Sequence, residues 1–145
     1  MKMRLTMQTI EPEAYKAMFG LEKYLSASKL SATHKHLIKV RASQVNKCAF
    51  CINMHTQEAR KDGETEQRLY LLSAWRESKL FTPEEQALLA LTEEVTLIGQ
   101  AGVTDATYQQ AAAHFDDHYL AQAIMAIVVI NAWNRIAIST EMPLA

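Results

Sequence analysis

Leu37-Ile38-Lys39-Val40-Arg41-Ala42-Ser43-Gln44-Val45-Asn46-Lys47-Cys48-Ala49-Phe50-Cys51-Ile52-Asn53-Met54-His55-Thr56-Gln57-Glu58-Ala59-Arg60-Lys61-Asp62-Gly63 reads as the end of one helix and the whole of the next. Leu37, Val40 and Val45 belong to the first, predicted over about residues 32 to 46, and the second holds Cys48 and runs to about Lys61. Asp62-Gly63 ends it, because glycine takes the left-handed cap at no steric cost. Cys48 and Cys51 are the only two cysteines of the 145-residue chain, and His55 follows them at i+7. At 3.6 residues per turn, i, i+3 and i+7 fall on one stripe, so both sulfurs and the imidazole can face one small volume.

A cysteine is a nucleophile only as the thiolate, and a histidine, a cation, a helix N-terminus or a second cysteine in Cys-x-x-Cys favours that form. One helical turn separates two Cα atoms by roughly 5 to 6 Å, inside the disulfide range, so a reversible dithiol–disulfide cycle is open to the pair. Metal binding and simple packing as small apolar residues are open to it as well. Zinc takes four ligands, of which Cys48, Cys51 and His55 would supply three and His36 or His34 the fourth. Structural zinc sites more often draw ligands from loops or from two elements than from one helix. Redox chemistry therefore ranks first and no metal is expected.

The length suits one domain, residues 1–145, with a core that needs no staples. Hydrophobic residues make up 49%, charged residues 21%, and the net charge is −1, which argues against disorder and against a nucleic-acid surface. The N-terminus has no continuous apolar stretch followed by a small-residue cleavage site, and the longest apolar run, Ala123 to Ile130, is far short of the roughly 20 residues a bilayer requires. A cytoplasmic protein without membrane contact is expected, in which oxidation of Cys48 and Cys51 is transient and functional. No Gly-rich nucleotide fingerprint occurs, so neither NAD nor flavin is expected as a cofactor.

Nearly everything else also reads as helix, and no segment sustains a period of two, so the fold class is all-α with about six to seven helices. Ala14, Met18, Leu21 and Leu25 mark one over about 11 to 27; Leu69, Leu72 and Trp75 mark another over about 65 to 77. Thr82-Pro83-Glu84-Glu85 is a capping box that opens a helix to about Ile98. Thr104 caps a shorter one to about His114, and Asp116 or Asp117 opens the last, to about Ser139. From Tyr119 to Ile138 that last helix is apolar nearly all round: either it is the central core helix, or a subunit interface buries what one chain leaves uncovered.

Cys-x-x-Cys-x-x-x-His after Ser43-Gln44-Val45-Asn46, together with Arg68 to Glu77, Phe81 to Glu93 and Asn131-Ala132-Trp133-Asn134-Arg135-Ile136, resembles the alkylhydroperoxidase D (AhpD)-like branch of the carboxymuconolactone decarboxylase superfamily. The resemblance covers most of the chain. It implies an all-α fold assembled as trimers or hexamers, and a thiol peroxidase or disulfide reductase that needs an external dithiol reductant. Carried over by position, Cys51 is the peroxidatic thiol, Cys48 its resolving partner and His55 a member of the proton relay. Where the family usually has a relay glutamate, twelve residues before the first cysteine, this chain has His36, a residue type able to shuttle protons near neutrality. Lys47 replaces the family's common glycine, and Phe50 stands where AhpD has a histidine between its cysteines. Gln44 and Glu93 are further polar candidates for the site.

The expected reaction is reduction of a hydroperoxide by Cys51, with Cys48 condensing the sulfenic acid into a disulfide. His55 lies one turn from Cys51 and two from Cys48, which makes Cys51 the first to be activated; Cys48 is expected nearer the helix start and solvent, where a reductant reaches it. Two rivals stand beside this reading. One is a lactone decarboxylase-type lyase of the same superfamily, which has no need of the cysteine pair. The other is a non-enzymatic redox sensor or helical assembly with the dithiol as its switch.

Overall fold

The computed structural model describes residues 2–144, and among these every regular element is helical. In chain order they are α1 (Met7–Ile10), α2 (Pro12–Ser26), α3 (Ala32–Val45), α4 (Ala49–Lys61), α5 (Glu66–Tyr70), a 3-10 turn (Leu72–Ala74), α6 (Trp75–Ser78), α7 (Pro83–Thr96), α8 (Ile98–Ala101), α9 (Asp105–Ala112) and α10 (Asp117–Thr140). Several starts are set by side chains that accept an orphan backbone N–H: Ser31 from His34, Thr65 from Arg68, Thr104 from Thr107 and Asp116 from Tyr119. Thr82 and Glu85 complete their capping box reciprocally, and Glu85 also receives Arg68 at 2.5 Å. Burial disfavours the Glu85 carboxylate, yet the Arg68 guanidinium and the Thr82 N–H together hold its pKa below the ordinary glutamate range.

α3 is the hub. Leu37 and Val40 pack with Leu69, Leu72, Trp75, Phe81 and Leu89 on one side, while Ile38 and Ala42 pack with Leu88, Leu91, Leu120, Ile127 and Ile130 on the other. Its partners are α4, α7 and α10, and α10 in turn also meets α2, α4 and α9. By length and composition α10 matches a membrane span, but its inner residues Ala123, Ala126, Ile127, Ile130 and Asn134 are packed inside this fold. Val128, on its other side, and Ile138, near its C-terminal end, are each 45% exposed. α2 is attached lightly: Leu25 is its one buried residue.

The segment expected as one helix over 65 to 77 is broken into α5, the 3-10 turn and α6. Its buried residues Leu69, Leu72 and Trp75 recur every three residues, and a period of 3.0 is that of the 3-10 helix, so tightening the chain keeps all three on one side. Lys79, at φ 59°, ends α6. The short helices α1 and α8 lie in stretches where the sequence showed no separate element.

Candidate active site

Two helix ends and the turn between them place the sulfurs. α3 closes with Lys47 at φ 58°; the Cys48 N–H donates to Ser43 O and the Lys47 N–H to Gln44 O, the paired bonds of a Schellman cap. Asn46 Nδ2 donates to Asn131 Oδ1 and Asn134 Oδ1, both at 2.9 Å, and Asn134 Nδ2 donates to Ser43 Oγ at 3.1 Å, so the Ser-Gln-Val-Asn stretch is pinned to α10 beneath the turn. Cys48 then serves as the N-cap of α4, its Sγ accepting the Cys51 N–H at 3.4 Å. The two sulfurs are joined as a disulfide with Cα atoms 5.3 Å apart.

Both cysteines are buried, Cys48 at 1% exposure and Cys51 at 2%, which corrects the expectation that Cys48 lies nearer solvent. As N-cap its side chain folds back over the first turn and packs with Ala137, Phe50 and Met142. Cys51, not Cys48, lines a cavity of about 340 Å³. Tyr15, Phe19, Phe50, Met54 and Trp133 give the cavity an aromatic and apolar wall; Glu22, Lys39, His55 and Glu58 bring charge to it. Tyr15, Phe19 and Trp133 meet edge to face, with centroids 5.1 to 5.7 Å apart.

His55 Nδ1 is 2.9 Å from Glu58 Oε2, one turn further along α4. A carboxylate there selects the tautomer with the proton on Nδ1 and leaves Nε2 as the base. Burial lowers the His55 pKa, with Lys39 acting in the same direction and Glu58 and Glu22 opposing, so the ring is neutral and able to accept a proton at neutral pH. Glu22, on α2, accepts from Trp133 Nε1 at 2.9 Å and faces Lys39 Nζ at 3.9 Å.

His36 is not brought to this cavity. Its Nε2 pairs with Asp62 Oδ2 at 2.6 Å, and Asp62 closes α4 eleven residues after Cys51, about 16 Å along a helix axis. Glu93 is likewise engaged elsewhere, by Trp75 Nε1, Arg41 and Arg76, and Gln44 accepts from Arg41. A fourth zinc ligand is not assembled either, since His34 Nδ1 bonds the Tyr119 hydroxyl at 2.6 Å while His36 holds Asp62. Among the site's charged groups, Glu58 was within reach of sequence reasoning, one turn from His55. Glu22 and Lys39 come from other helices, and no local spacing points to them.

The model of the carboxymuconolactone decarboxylase family matches residues 12–94. YdfG of Bacillus subtilis, an uncharacterized protein, is 46% identical over 139 residues, which is 96% of this chain and 95% of YdfG. ATU0492 of Agrobacterium tumefaciens, a protein of unknown function described as a candidate AhpD antioxidant defence protein, superposes with a TM-score of 0.97 at 42% identity over 99% of both chains. The AhpD core of an uncharacterized peroxidase-related protein from Ralstonia eutropha superposes with a TM-score of 0.83 at 18% identity, covering 95% of this chain and 74% of that one, a likeness of fold.

Proposed function

The chain belongs to the carboxymuconolactone decarboxylase family, in its AhpD-like branch, and from that premise we propose that it is a thiol peroxidase for organic hydroperoxides. One observation carries the reading: Cys51, paired with Cys48 and beside a neutral His55 backed by Glu58, opens on an aromatic-walled cavity of about 340 Å³, far more than hydrogen peroxide fills. The AhpD description attached to ATU0492 supports the same chemistry.

In the reduced protein His55 Nε2 takes the Cys51 proton. The thiolate attacks the terminal oxygen of R–O–O–H; the S–O bond forms as the O–O bond breaks, and the departing alkoxide takes the proton from His55 to leave as R–OH. Cys48 then attacks the Cys51 sulfenic acid, forming the disulfide and releasing water. Two electrons and two protons from an external dithiol restore the pair, that donor becoming a disulfide in turn.

Stopped-flow mixing of the reduced protein with cumene hydroperoxide and with hydrogen peroxide, with disulfide formation read by mass, tests this. The organic peroxide should oxidise the pair at least about tenfold faster, the difference that roughly 1.4 kcal/mol of cavity binding supplies. Absence of a disulfide with either peroxide would sink the proposal. Lyase activity on a lactone that survives Ser at both cysteine positions would replace it.

A further inference from the structure

Lys39 is the one Lys or Arg among the described residues lining the cavity. It rises from α3, and its side chain is largely enclosed, at 17% exposure. Glu22 faces its ammonium at 3.9 Å, and the Trp133 indole N–H holds Glu22 in turn, so α2 and α10 together fix where the charge lies. The cavity's other basic group, His55, is driven towards its neutral form by burial. Cys51 packs with Phe50, Ala137 and Met142, and an anion in such apolar surroundings is disfavoured unless an opposite charge stands close by. An imidazole that has taken the thiol proton is itself a cation, but burial disfavours that form and the charge is given up again with the proton, whereas a lysine beside the cavity supplies a fixed one.

We infer that Lys39, held in place by Glu22, is the cation that stabilises the Cys51 thiolate and the negative charge that develops on the leaving oxygen. The second of these roles rests on the peroxidase reading; the first does not. Lys39 takes no part in the proton transfer. The thiol proton passes to His55 and from there to the alkoxide, so the contribution of Lys39 is electrostatic, made from a largely enclosed side chain where a fixed charge acts more strongly than in water.

In a Cys48→Ser protein Cys51 is the sole thiol, and its alkylation rate against pH reports the thiolate without any peroxide. Lys39→Met and Lys39→Gln should each slow alkylation at pH 7 by about tenfold and move the midpoint of the profile upward, the effect of losing one nearby opposite charge. Lys39→Arg should restore most of the rate. Circular dichroism confirms that the compared proteins are folded, and the use of two neutral replacements guards against the loss of either one. An unchanged midpoint in both neutral variants overturns the assignment. If Lys39→Met shifts the profile while the parent ignores hydroperoxides, the charge assignment stands and the peroxidase reading falls; if the parent consumes hydroperoxide and Lys39→Met matches it in both assays, the reverse holds.

Discussion

Burial of a neutral imidazole gives this protein a directional response to acid. His55 and His34 both have lowered pKa values, chiefly through desolvation, and His34 Nδ1 pairs with a Tyr119 hydroxyl that itself receives the Ser31 N–H. The unfolded chain protonates these rings near the reference value of about 6.5, whereas the folded chain does so only at lower pH. Below about 6.5 the unfolded state therefore binds more protons, and stability falls as the pH drops. Thermal unfolding followed from pH 8 to 5.5 should show a flat Tm that declines once pH passes below that value; a Tm rising on acidification would contradict the sign. Peroxide attack should persist below pH 6.5 for the same reason, and Glu58→Gln, which removes a group raising the His55 pKa, should carry the acid limb lower still. At the sulfurs, Cys48→Ser should react once and stop at a sulfenic acid on Cys51, seen by mass, while Cys51→Ser should not react. His55→Ala should slow the first step by roughly 10²- to 10⁴-fold. That Cys51 and His55 line one cavity was legible because the two are local, one turn apart on a single helix. Glu22 and Trp133 lie 111 residues apart and meet only once α2 is laid across α10, which no spacing encodes. His36 was placed only by its position in the family's pattern, twelve residues before Cys48, and a helix that turns its side chain to Asp62 defeats that placement.

The helix hairpin α3–α4 depends on a turn whose left-handed position is filled by a lysine. Lys47 has φ 58°, and Gly63, at φ 94°, does the same work at the far end of α4. A side chain in that region costs about 1 to 2 kcal/mol, partly offset by the chain entropy glycine loses on folding, so Lys47→Gly should stabilise the protein by about 0.5 to 1 kcal/mol. A rise in the urea midpoint with an unchanged slope is the expected readout, and a fall would show that Lys47 contributes something its exposed position does not reveal. This also explains physically why glycine is common there in the resembling family. Helix starts were readable because caps are short-range: Thr82 with Glu85, Thr104, and Asp116 all act within three residues. The break between α5 and α6 was not, because Leu72 and Trp75 fit a helix by type, and only the demand of the facing core that they point the same way as Leu69 selects the tighter turn.

Seen as a whole, the molecule buries one flank of α10 and leaves Val128 in the open on the other, with Ile138 exposed near the helix end. We expect a second copy to cover that flank, giving a trimer or hexamer. Light scattering at micromolar concentration should report such an assembly, and Val128→Glu should weaken it, since burying an unpaired charge costs several kcal/mol. A wild-type monomer would refute this. α2 poses a different question. It carries Tyr15, Phe19 and Glu22 into the cavity wall yet buries only Leu25, and Phe19 is 53% exposed. Substitution at an exposed position such as Phe19 typically changes stability by no more than about 0.5 kcal/mol, whereas changes at the buried residues of α3, α4 or α10 disturb the core. On the proposed reading, the exposed part of the substrate wall can thus be rewritten at little cost to the fold, while Glu22, which faces Lys39, and the dithiol with its base cannot be changed without touching the chemistry. On that reading, a lineage built on this scaffold can drift from one bulky hydroperoxide to another through near-neutral changes around Phe19, keeping the same chemistry behind a succession of different doors.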